Sequence, residues 1–247
     1  MIKKIIWLPY RIYILCIFFI TLLIAFSLIM ACQLLPESIK SQTIFKINCA
    51  WTKFVFICFF IKLKVSGKEN VNQNESVIFI ANHRSYLDAA LIFLAIPKYF
   101  KPLGKAEMGK IPIFGPIYKS VAISVDRSSP FNRARSVKLL KRQILRGTSI
   151  VMFPEGTFNL GDEPLIDFYD GAFRIAIETQ TDIQPFIITG TQQVLDRFSA
   201  IAITPGFIKV KYLPIISVKG LKWTDTEMLK KKAYQQIKEA LLAEGNW

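Results

Sequence analysis

The most constraining feature of this 247-residue chain is an uncharged apolar stretch close to its N-terminus. Residues 12–36 carry no charged side chain, and as a helix they are long enough to cross a hydrocarbon layer of about 30 Å. The apolar core of a cleavable signal peptide is only about 7–15 residues long, so this longer stretch predicts a retained membrane anchor. Lys3, Lys4 and Arg11 precede the stretch and predict a cytoplasmic N-terminus.

A second apolar stretch runs from Phe45 to Leu63 and is interrupted by four lysines, Lys46, Lys53, Lys62 and Lys64. Lysines spaced along an apolar segment are typical of a helix in the membrane interface, or of the second leg of a helical hairpin. A single span leaves the rest of the chain outside the cytoplasm, whereas a hairpin or an interfacial helix returns it. We predict an N-terminal membrane anchor over residues 1–64 and a globular domain over residues 65–247.

The charge of the chain indicates anionic partners. There are 32 lysines and arginines against 18 acidic residues, a net charge of +14 in a chain that is 52% hydrophobic. This charge balance is typical of proteins that bind a membrane surface, nucleic acid or phosphorylated substrates. The high hydrophobic content argues against intrinsic disorder. The single histidine, His83, excludes a metal site built from several histidines. All four cysteines lie in the apolar stretches without zinc or redox spacing, which excludes a disulfide-stapled secreted domain.

From residue 65 onward, short apolar runs alternate with helical patterns. Runs rich in β-branched residues predict strands at residues 76–81, 120–126, 148–153, 183–190 and 207–216. Amphipathic or capped segments predict helices at residues 86–96, 132–146, 171–179 and 224–244. This alternation predicts an α/β fold with a mostly buried central sheet flanked by helices, preceded by the membrane-associated N-terminal helices.

The strongest local motif is ANHRSYLD, residues 81–88, which follows a predicted strand and opens a predicted helix. His83 and Asp88 face different sides of a continuous helix, but they meet if His83 lies in the turn and Asp88 in the first helical turns. A carboxylate that accepts from one imidazole nitrogen leaves the other nitrogen as a base. The alternative is that His83 is exposed, or caps the helix, and has no catalytic role.

Three further segments carry candidate polar residues, and the first two lie at the ends of predicted strands. FPEGT, residues 153–157, combines a tight turn, backbone N–H groups that suit an oxyanion, and the carboxylate of Glu155. SVDRSS, residues 124–129, offers Arg127 to an anion. GKAEMGKIPIFGPIYKS, residues 104–120, offers Lys105 beside an apolar run that suits an acyl chain. Sheets of α/β proteins bind ligands at this end of their strands, although each segment alone also fits an ordinary turn or a solvated charge.

In combination, these segments resemble the glycerolipid acyltransferases, and most closely the bacterial 1-acyl-sn-glycerol-3-phosphate acyltransferases. The resemblance covers roughly residues 65–216. The matching motifs occur in the family's order and at similar spacing: Asn82-His83 with Asp88, Lys105-x-Glu107, Val125-Asp126-Arg127, Phe153-Pro154-Glu155-Gly156-Thr157 and Gln184-Pro185-Phe186-Ile187. The first and third motifs at this spacing are the most specific part of the match.

The resemblance implies a role for each matching residue. His83 deprotonates the 2-hydroxyl of an acceptor, which then attacks an acyl thioester, and Asp88 orients and stabilises the imidazolium. Backbone N–H groups near Gly156 are candidates for the oxyanion hole. The resemblance further implies a substrate-binding set, chiefly for the glycerol phosphate, composed of Asn82, Arg84, Lys105, Arg127, Glu155, Gly156 and Thr157.

One position departs from the family pattern. Many members have an arginine directly after Glu-Gly-Thr as a phosphate ligand, and this chain has Phe158. Either another cation binds the phosphate, or the acceptor is another lysophospholipid, a lyso-aminolipid or glycerol 3-phosphate. The non-enzyme alternative is a basic membrane-attached protein that binds lipid or nucleic acid.

The activity implied by the resemblance is the formation of phosphatidic acid, in phospholipid synthesis, from lysophosphatidic acid and an acyl thioester. The donor is acyl-CoA or acyl-carrier protein. The resemblance implies no metal, no other cofactor and no nucleic acid, and anionic membrane lipids are expected partners. Because these donors are cytoplasmic, we expect a cytoplasmic or inner membrane location with the active domain on the cytoplasmic side.

Overall fold

The structure is a computed structural model that describes residues 8–125, 130–196 and 202–245. Its centre is a seven-stranded sheet in the order β1-β7-β6-β2-β5-β3-β4. The strands are β1 (Ile61–Ser66), β2 (Ile78–Ile80), β3 (Phe100–Lys105), β4 (Ile123–Val125), β5 (Ser149–Met152), β6 (Ile183–Thr189) and β7 (Gly206–Tyr212). Neighbouring strands are parallel except β6 and β7, which are antiparallel.

Helices cover both faces of this sheet. They are α1 (Leu8–Ala31), α2 (Glu37–Cys58), α3 (Tyr86–Ala95), α4 (Phe114–Val121), α5 (Pro130–Leu145), α6 (Gly171–Thr179), α7 (Thr191–Val194) and α8 (Thr226–Glu244). Short 3₁₀ segments occur at Cys32–Leu34, Lys68–Asn70, Ala106–Lys110 and Trp223–Asp225.

The central strands are buried on both sides, so the sheet separates two cores. Every residue of β2, β5 and β6 is buried. Phe79 of β2 packs in one core with α2 and α3, for example with Leu91. Ile78 and Ile80 point the other way and pack in a second core with residues of α5, α6 and α8, such as Phe173. The predicted α/β fold with a mostly buried central sheet is therefore confirmed.

The two N-terminal helices form a hairpin that packs against the sheet domain. The stretch Leu8–Leu34 is the one part of the described chain that is long and apolar enough to span a membrane. The indole Nε1 of Trp51 in α2 donates to Thr21 Oγ1 in α1 at 3.0 Å, which ties the two helices together. Val55 and Phe56 of α2 belong to the first core of the domain. The hairpin therefore contains the most apolar segment of the described chain and also contributes residues to the core of the sheet domain.

The predicted boundary after residue 64 falls inside strand β1, and the second apolar stretch is not one continuous helix. Helix α2 ends at Cys58, Phe60 adopts a positive φ of 54°, and β1 begins at Ile61. Lys62 and Lys64 are exposed because they alternate with the inward-facing residues of a strand. The predicted helix is therefore wrong for Lys62 and Lys64, because these two lysines follow the period of two of a strand.

Candidate active site

The carboxyl ends of four adjacent parallel strands bring the predicted motifs to one edge of the sheet. Ile80, the last residue of β2, pairs with Met152, the last residue of β5. Strand β3 lies on the other side of β5, and its last residue, Lys105, pairs with Val125 at the end of β4. Because these strands run in the same direction, the segments that follow them meet at this edge, which is where α/β sheets bind ligands.

His83 lies in the turn after β2 and contacts Asp88 at the third position of α3. The distance between His83 Nδ1 and Asp88 Oδ2 is 2.9 Å, so the predicted pairing of the two side chains is confirmed. A capping box builds this geometry: Ser85 is the N-cap residue, and its hydroxyl accepts from Leu87 N at 3.3 Å. Asp88 Oδ2 also accepts from the backbone N of Ser85 (2.8 Å) and of Arg84 (2.7 Å). The carboxylate therefore holds the turn and the imidazole at once.

These contacts decide which imidazole nitrogen is available. Asp88 is 0% exposed, and its Oδ2 already accepts two backbone N–H groups, so Nδ1 of His83 is the donor of the third hydrogen bond. Nε2 then keeps its lone pair and is the nitrogen that can take a proton. The cap of α3 is formed by Ser85 and Asp88, so His83 is not the capping residue. The Nε2 edge of its imidazole is therefore available for chemistry.

Aromatic rings hold the imidazole on two sides. The ring of Phe153, directly after β5, stacks on His83 with 4.0 Å between centroids and 15° between planes. Phe158 contacts His83 edge-on at 4.4 Å and in turn packs against Tyr86 at 4.6 Å. Only 16% of the His83 side chain is exposed. Phe158 thus places an apolar ring beside His83, at the position where the sequence departs from the family pattern.

Glu155 anchors the backbone behind His83. The carboxylate is 1% exposed, and its two oxygens accept from His83 N at 2.7 Å and from Ile166 N at 3.2 Å. Burial raises the pKa of Glu155 to about 7, against the opposing effect of these two hydrogen bonds and of the Arg84 guanidinium. The side chain is not among the residues that line the cavity described below. In this structure its contacts are with backbone, and its predicted role in substrate binding stays a prediction.

Asn82 and Arg84 are likewise turned into the protein. The amide of Asn82 bridges to β6, donating to Ile188 O and accepting from Ile188 N, both at 2.8 Å. The guanidinium of Arg84 donates to Glu163 O at 2.9 Å and to Gly161 O at 2.7 Å. Asn82 thus ties the turn after β2 to β6, and Arg84 ties the same turn to the loop that contains Gly161 and Glu163. Neither side chain lines the cavity.

Sequence reasoning missed Asn159, which completes this support. Its side chain is fully buried; Nδ2 donates to Glu163 O at 2.8 Å, and Oδ1 accepts from Gly161 N at 2.9 Å. Its backbone N donates to His83 O at 2.8 Å. An asparagine in a polar loop is ordinary in sequence, so only the folded contacts reveal that it connects this loop to the His83 turn.

Three residues of the predicted substrate-binding set line the cavity, as His83 does: Lys105, Gly156 and Thr157. Lys105 is exposed at the end of β3, and Thr157 is exposed next to Gly156. Gly156 has a positive φ of 67°, and its N–H donates to Phe153 O at 3.0 Å within the turn. The other predicted cation, Arg127, lies outside the described residues.

An apolar cavity of about 610 Å³ connects His83 with the N-terminal hairpin. One part of its wall consists of the strand-end residues around His83, and the rest consists of apolar side chains from α1, α2, α3 and α4, including Phe18, Val55, Ile92 and Ile117. A cavity of this size and character suits a hydrocarbon chain. Within the described ranges, no three His, Cys, Asp or Glu side chains are grouped so as to hold a metal ion.

Comparison with known proteins agrees with this geometry. Residues 62–189, just over half of the chain, match the family model described as Acyltransferase. The chain is 33% identical to a 1-acyl-sn-glycerol-3-phosphate acyltransferase of Limnanthes alba, over 66% of this chain and 57% of the relative. It is 32% identical to one of Cocos nucifera, over 68% of this chain and 53% of the relative, and so spans just over half the length of both.

A solved structure shows the same fold. The crystal structure of the 1-acyl-sn-glycerophosphate (LPA) acyltransferase from Thermotoga maritima matches with a TM-score of 0.83 over 99% of each chain, at 21% sequence identity. The agreement extends through the N-terminal hairpin, since it covers nearly all of both chains. The family model and the fold confirm the resemblance predicted from the motifs, and the chain belongs to the acyltransferase family.

Proposed function

We propose that this protein transfers a fatty acyl group from a thioester to the 2-hydroxyl of 1-acyl-sn-glycerol 3-phosphate and so forms phosphatidic acid. The observation that carries the proposal is the position of the His83–Asp88 pair, 2.9 Å apart, at one end of an apolar cavity. A base beside a chain-sized apolar space suits a reaction that joins a hydroxyl to a long acyl chain. The activities named for the relatives agree with this chemistry.

His83 is the base of the proposed reaction. Nε2 takes the proton of the acceptor hydroxyl while the hydroxyl oxygen attacks the thioester carbonyl carbon, and the imidazolium that forms is stabilised by Asp88. When the tetrahedral intermediate collapses, the carbon–sulfur bond breaks and the sulfur leaves with the proton that the imidazolium returns. The products are the ester and the free thiol, and the protein is regenerated unchanged.

The intermediate's oxyanion needs a donor at the turn after β5. The N–H of Gly156 is bonded within the turn to Phe153 O. We therefore assign the next backbone N–H, that of Thr157, as the oxyanion donor, since Thr157 is exposed and lines the cavity. Gly156, directly before this N–H, has the positive φ of a left-handed residue, a conformation that glycine adopts at no steric cost.

The acceptor's phosphate is assigned to Lys105. Among the described residues that line the cavity, Lys105 is the one lysine or arginine. A single flexible ammonium gives a less directional phosphate site than an arginine does. The apolar ring of Phe158 beside His83 favours a second candidate, transfer to a lyso-aminolipid or another lysolipid whose head group needs no second cation.

Two surfaces support our assignment of the donor carrier and of the membrane contact. The exposed side of α5 carries Arg135, Lys138 and Arg142, which suits the anionic carrier of a thioester, whether CoA or acyl-carrier protein. The outer side of α1 exposes Ile20 and Ile24, at 57% and 55%, which suits the interior of a membrane. In this proposal the hairpin rests in the cytoplasmic leaflet, with anionic lipids as partners and the sheet domain on the cytoplasmic side.

The test is an acyl-transfer assay on the purified full-length protein in mixed micelles. It pairs acyl-CoA and acyl-carrier-protein donors with lysophosphatidic acid, other lysophospholipids, a lyso-aminolipid and glycerol 3-phosphate. We expect turnover to be highest with lysophosphatidic acid, and His83→Gln, whose amide can still contact Asp88 but cannot act as a base, to lose about 10²- to 10⁴-fold in rate. Lipid binding without turnover on any acceptor would instead support the non-enzyme alternative.

A further inference from the structure

Two polar side chains, Asn48 and Thr52, interrupt the apolar wall of the cavity on α2. Both line the cavity, and they lie about 6 Å apart along the helix axis, one turn from each other. Their exposed fractions are only 4% and 8%. The buried stripe of α2 consists of Ile44, Asn48, Thr52, Val55 and Phe56. Positions where a sequence breaks its own hydrophobic pattern are commonly functional, so this pair needs a reason.

Each of the two side chains presents an oxygen that has no hydrogen-bond partner within the described ranges. Asn48 Nδ2 donates to Ile44 O at 2.9 Å, and because only the amide nitrogen can donate to a carbonyl, Oδ1 is left as an acceptor. The hydroxyl of Thr52 makes no hydrogen bond in the described part of the chain. The neighbouring Trp51 differs, because its indole N–H is bonded to Thr21. Buried polar groups are normally paired, so both oxygens point to a ligand that pairs them.

The pair lies on the part of α2 that runs between the far end of α3 and the edge of the sheet that carries His83. Phe45, one turn before Asn48, packs on Phe93 with 5.8 Å between ring centroids. Phe93 is near the C-terminal end of α3, whereas His83 precedes its N-terminal residue Tyr86, and these seven residues of helix span about 10 Å. Helix α2 runs from Phe45 toward Phe60, whose carbonyl accepts from Gly206 N at the edge of the sheet that carries His83, so Asn48 and Thr52 lie between these two levels and Thr52 is the nearer to His83. A chain whose carbonyl lies at His83 therefore passes the polar pair between the carbons next to the carbonyl and the far end of the chain.

Resting on the acyl transfer proposed above, we infer that Asn48 and Thr52 form a subsite for a hydroxyl group in the middle of the donor's acyl chain. Such a hydroxyl donates to Asn48 Oδ1 and accepts from the Thr52 hydroxyl, so all the polar groups are paired. An unsubstituted chain fills the same space and leaves both protein oxygens unpaired. The substrate class of this subsite is a mid-chain hydroxyacyl thioester.

The test measures kcat/KM for 10-hydroxyoctadecanoyl, 3-hydroxyoctadecanoyl and octadecanoyl groups, each as the CoA and the acyl-carrier-protein thioester. We expect the wild-type protein to prefer the 10-hydroxy chain over the unsubstituted chain by about tenfold, which corresponds to about 1.4 kcal/mol. The 3-hydroxy chain should show no such preference, because its hydroxyl stays near His83. Thr52→Val keeps the shape of the side chain and should remove most of the preference, and Asn48→Leu should reverse it in favour of the unsubstituted chain.

A matched control is available on the same helix. Thr43 does not line the cavity, and its hydroxyl is already bonded to Ile39 O at 2.9 Å, so Thr43→Val should leave the preference intact. Equal use of both chains by the wild-type protein, or a preference that survives Thr52→Val and Asn48→Leu, would overturn the inference. Affinities for free 10-hydroxyoctadecanoic and octadecanoic acids, measured by calorimetry in micelles, give the same comparison without turnover. A failure of acyl transfer itself is thereby distinguished from a failure of the subsite.

Discussion

Replacing Asp88 with asparagine separates the charge of this side chain from its structural role. The carboxylate oxygen Oδ2 accepts from His83 Nδ1, Arg84 N and Ser85 N, at 2.9, 2.7 and 2.8 Å. An asparagine whose carbonyl oxygen takes the place of Oδ2 keeps all three hydrogen bonds. Its amide nitrogen then takes the place of Oδ1, which has no partner among the described atoms. The helix cap and the orientation of the imidazole survive, and the negative charge is lost.

The size of the expected effect follows from the distance and the burial. When Nε2 takes a proton, the imidazolium and the carboxylate attract each other by about 4 kcal/mol, for charges about 4 Å apart in a partly buried site of effective dielectric about 20. Removing that attraction from the transition state lowers kcat by about 10³-fold, since each factor of ten is about 1.36 kcal/mol. The buried amide nitrogen costs about 1–3 kcal/mol of folding stability. Asp88→Asn should therefore be a folded protein with little activity.

The assay follows release of free thiol during transfer to lysophosphatidic acid, with thermal unfolding measured on the same samples. Asp88→Ala is the contrasting variant, because it also leaves the N–H groups of Arg84 and Ser85 without an acceptor, at about 1–3 kcal/mol each. Ser85→Ala is the control: it weakens the cap and leaves the charge beside His83, so stability should fall more than kcat does. Wild-type kcat in folded Asp88→Asn would refute the catalytic role of the charge.

Three further changes have expected outcomes. Burial raises the pKa of Glu155 from 4.5 to about 7, so between these pH values the folded state binds a proton that the unfolded state has lost. The free energy of unfolding should therefore fall by about 3 kcal/mol as the pH rises from 4.5 to 7. Glu155→Gln should remove that fall, measured by urea unfolding at several pH values. Lys105→Gln should raise the KM for lysophosphatidic acid about five- to tenfold, and the donor's KM less, because a charge-assisted contact is lost at an exposed site. Ile24→Lys should weaken binding to phosphatidylglycerol-containing vesicles by at least about tenfold, because it removes an exposed apolar side chain of α1 from the bilayer.

A specific result would contradict each of these three predictions. A pH dependence of stability that is identical in Glu155→Gln would show that this carboxyl titrates normally. An unchanged acceptor KM in Lys105→Gln would move the phosphate site away from β3. Leu242→Lys is the matched control for Ile24→Lys, since Leu242 is 50% exposed on α8, which packs on the opposite side of the sheet. Equal loss of vesicle binding in both variants would remove the special role of α1.

The fold and the contact between His83 and Asp88 were accessible from the sequence because they depend on local patterns. Apolar runs of four to seven residues gave the buried strands β5 and β6, and their alternation with helical segments predicted the α/β class. The pairing of His83 with Asp88 follows from a strand, a short turn and a helix start, and the hydrogen bond at 2.9 Å confirms it. Such features need no knowledge of distant parts of the chain.

The direction of a polar side chain at a strand end was not accessible. Asn82, Arg84 and Glu155 stand next to the site in sequence, yet their partners are backbone groups up to 106 residues away. Which side of the loop such a residue faces depends on which buried N–H and C=O groups remain unpaired, and that is fixed only when the whole sheet is assembled. The same holds for Asn159, whose importance depends on contacts with the His83 turn.

The N-terminal hairpin shows most clearly why a prediction by segments stops short of the site. In sequence it is a membrane anchor separate from the domain, but Val55 and Phe56 belong to the domain core and Phe18 and Trp51 line the cavity. A fragment that begins at residue 65 lacks most of β1 and one wall of the cavity, so it loses the place for the acyl chain together with the apolar surface. The outer side of α1 is exposed and apolar, and residues of the same helix, such as Phe18, line the cavity that reaches His83. In the function proposed above, membrane attachment and substrate binding therefore depend on two sides of the same helix.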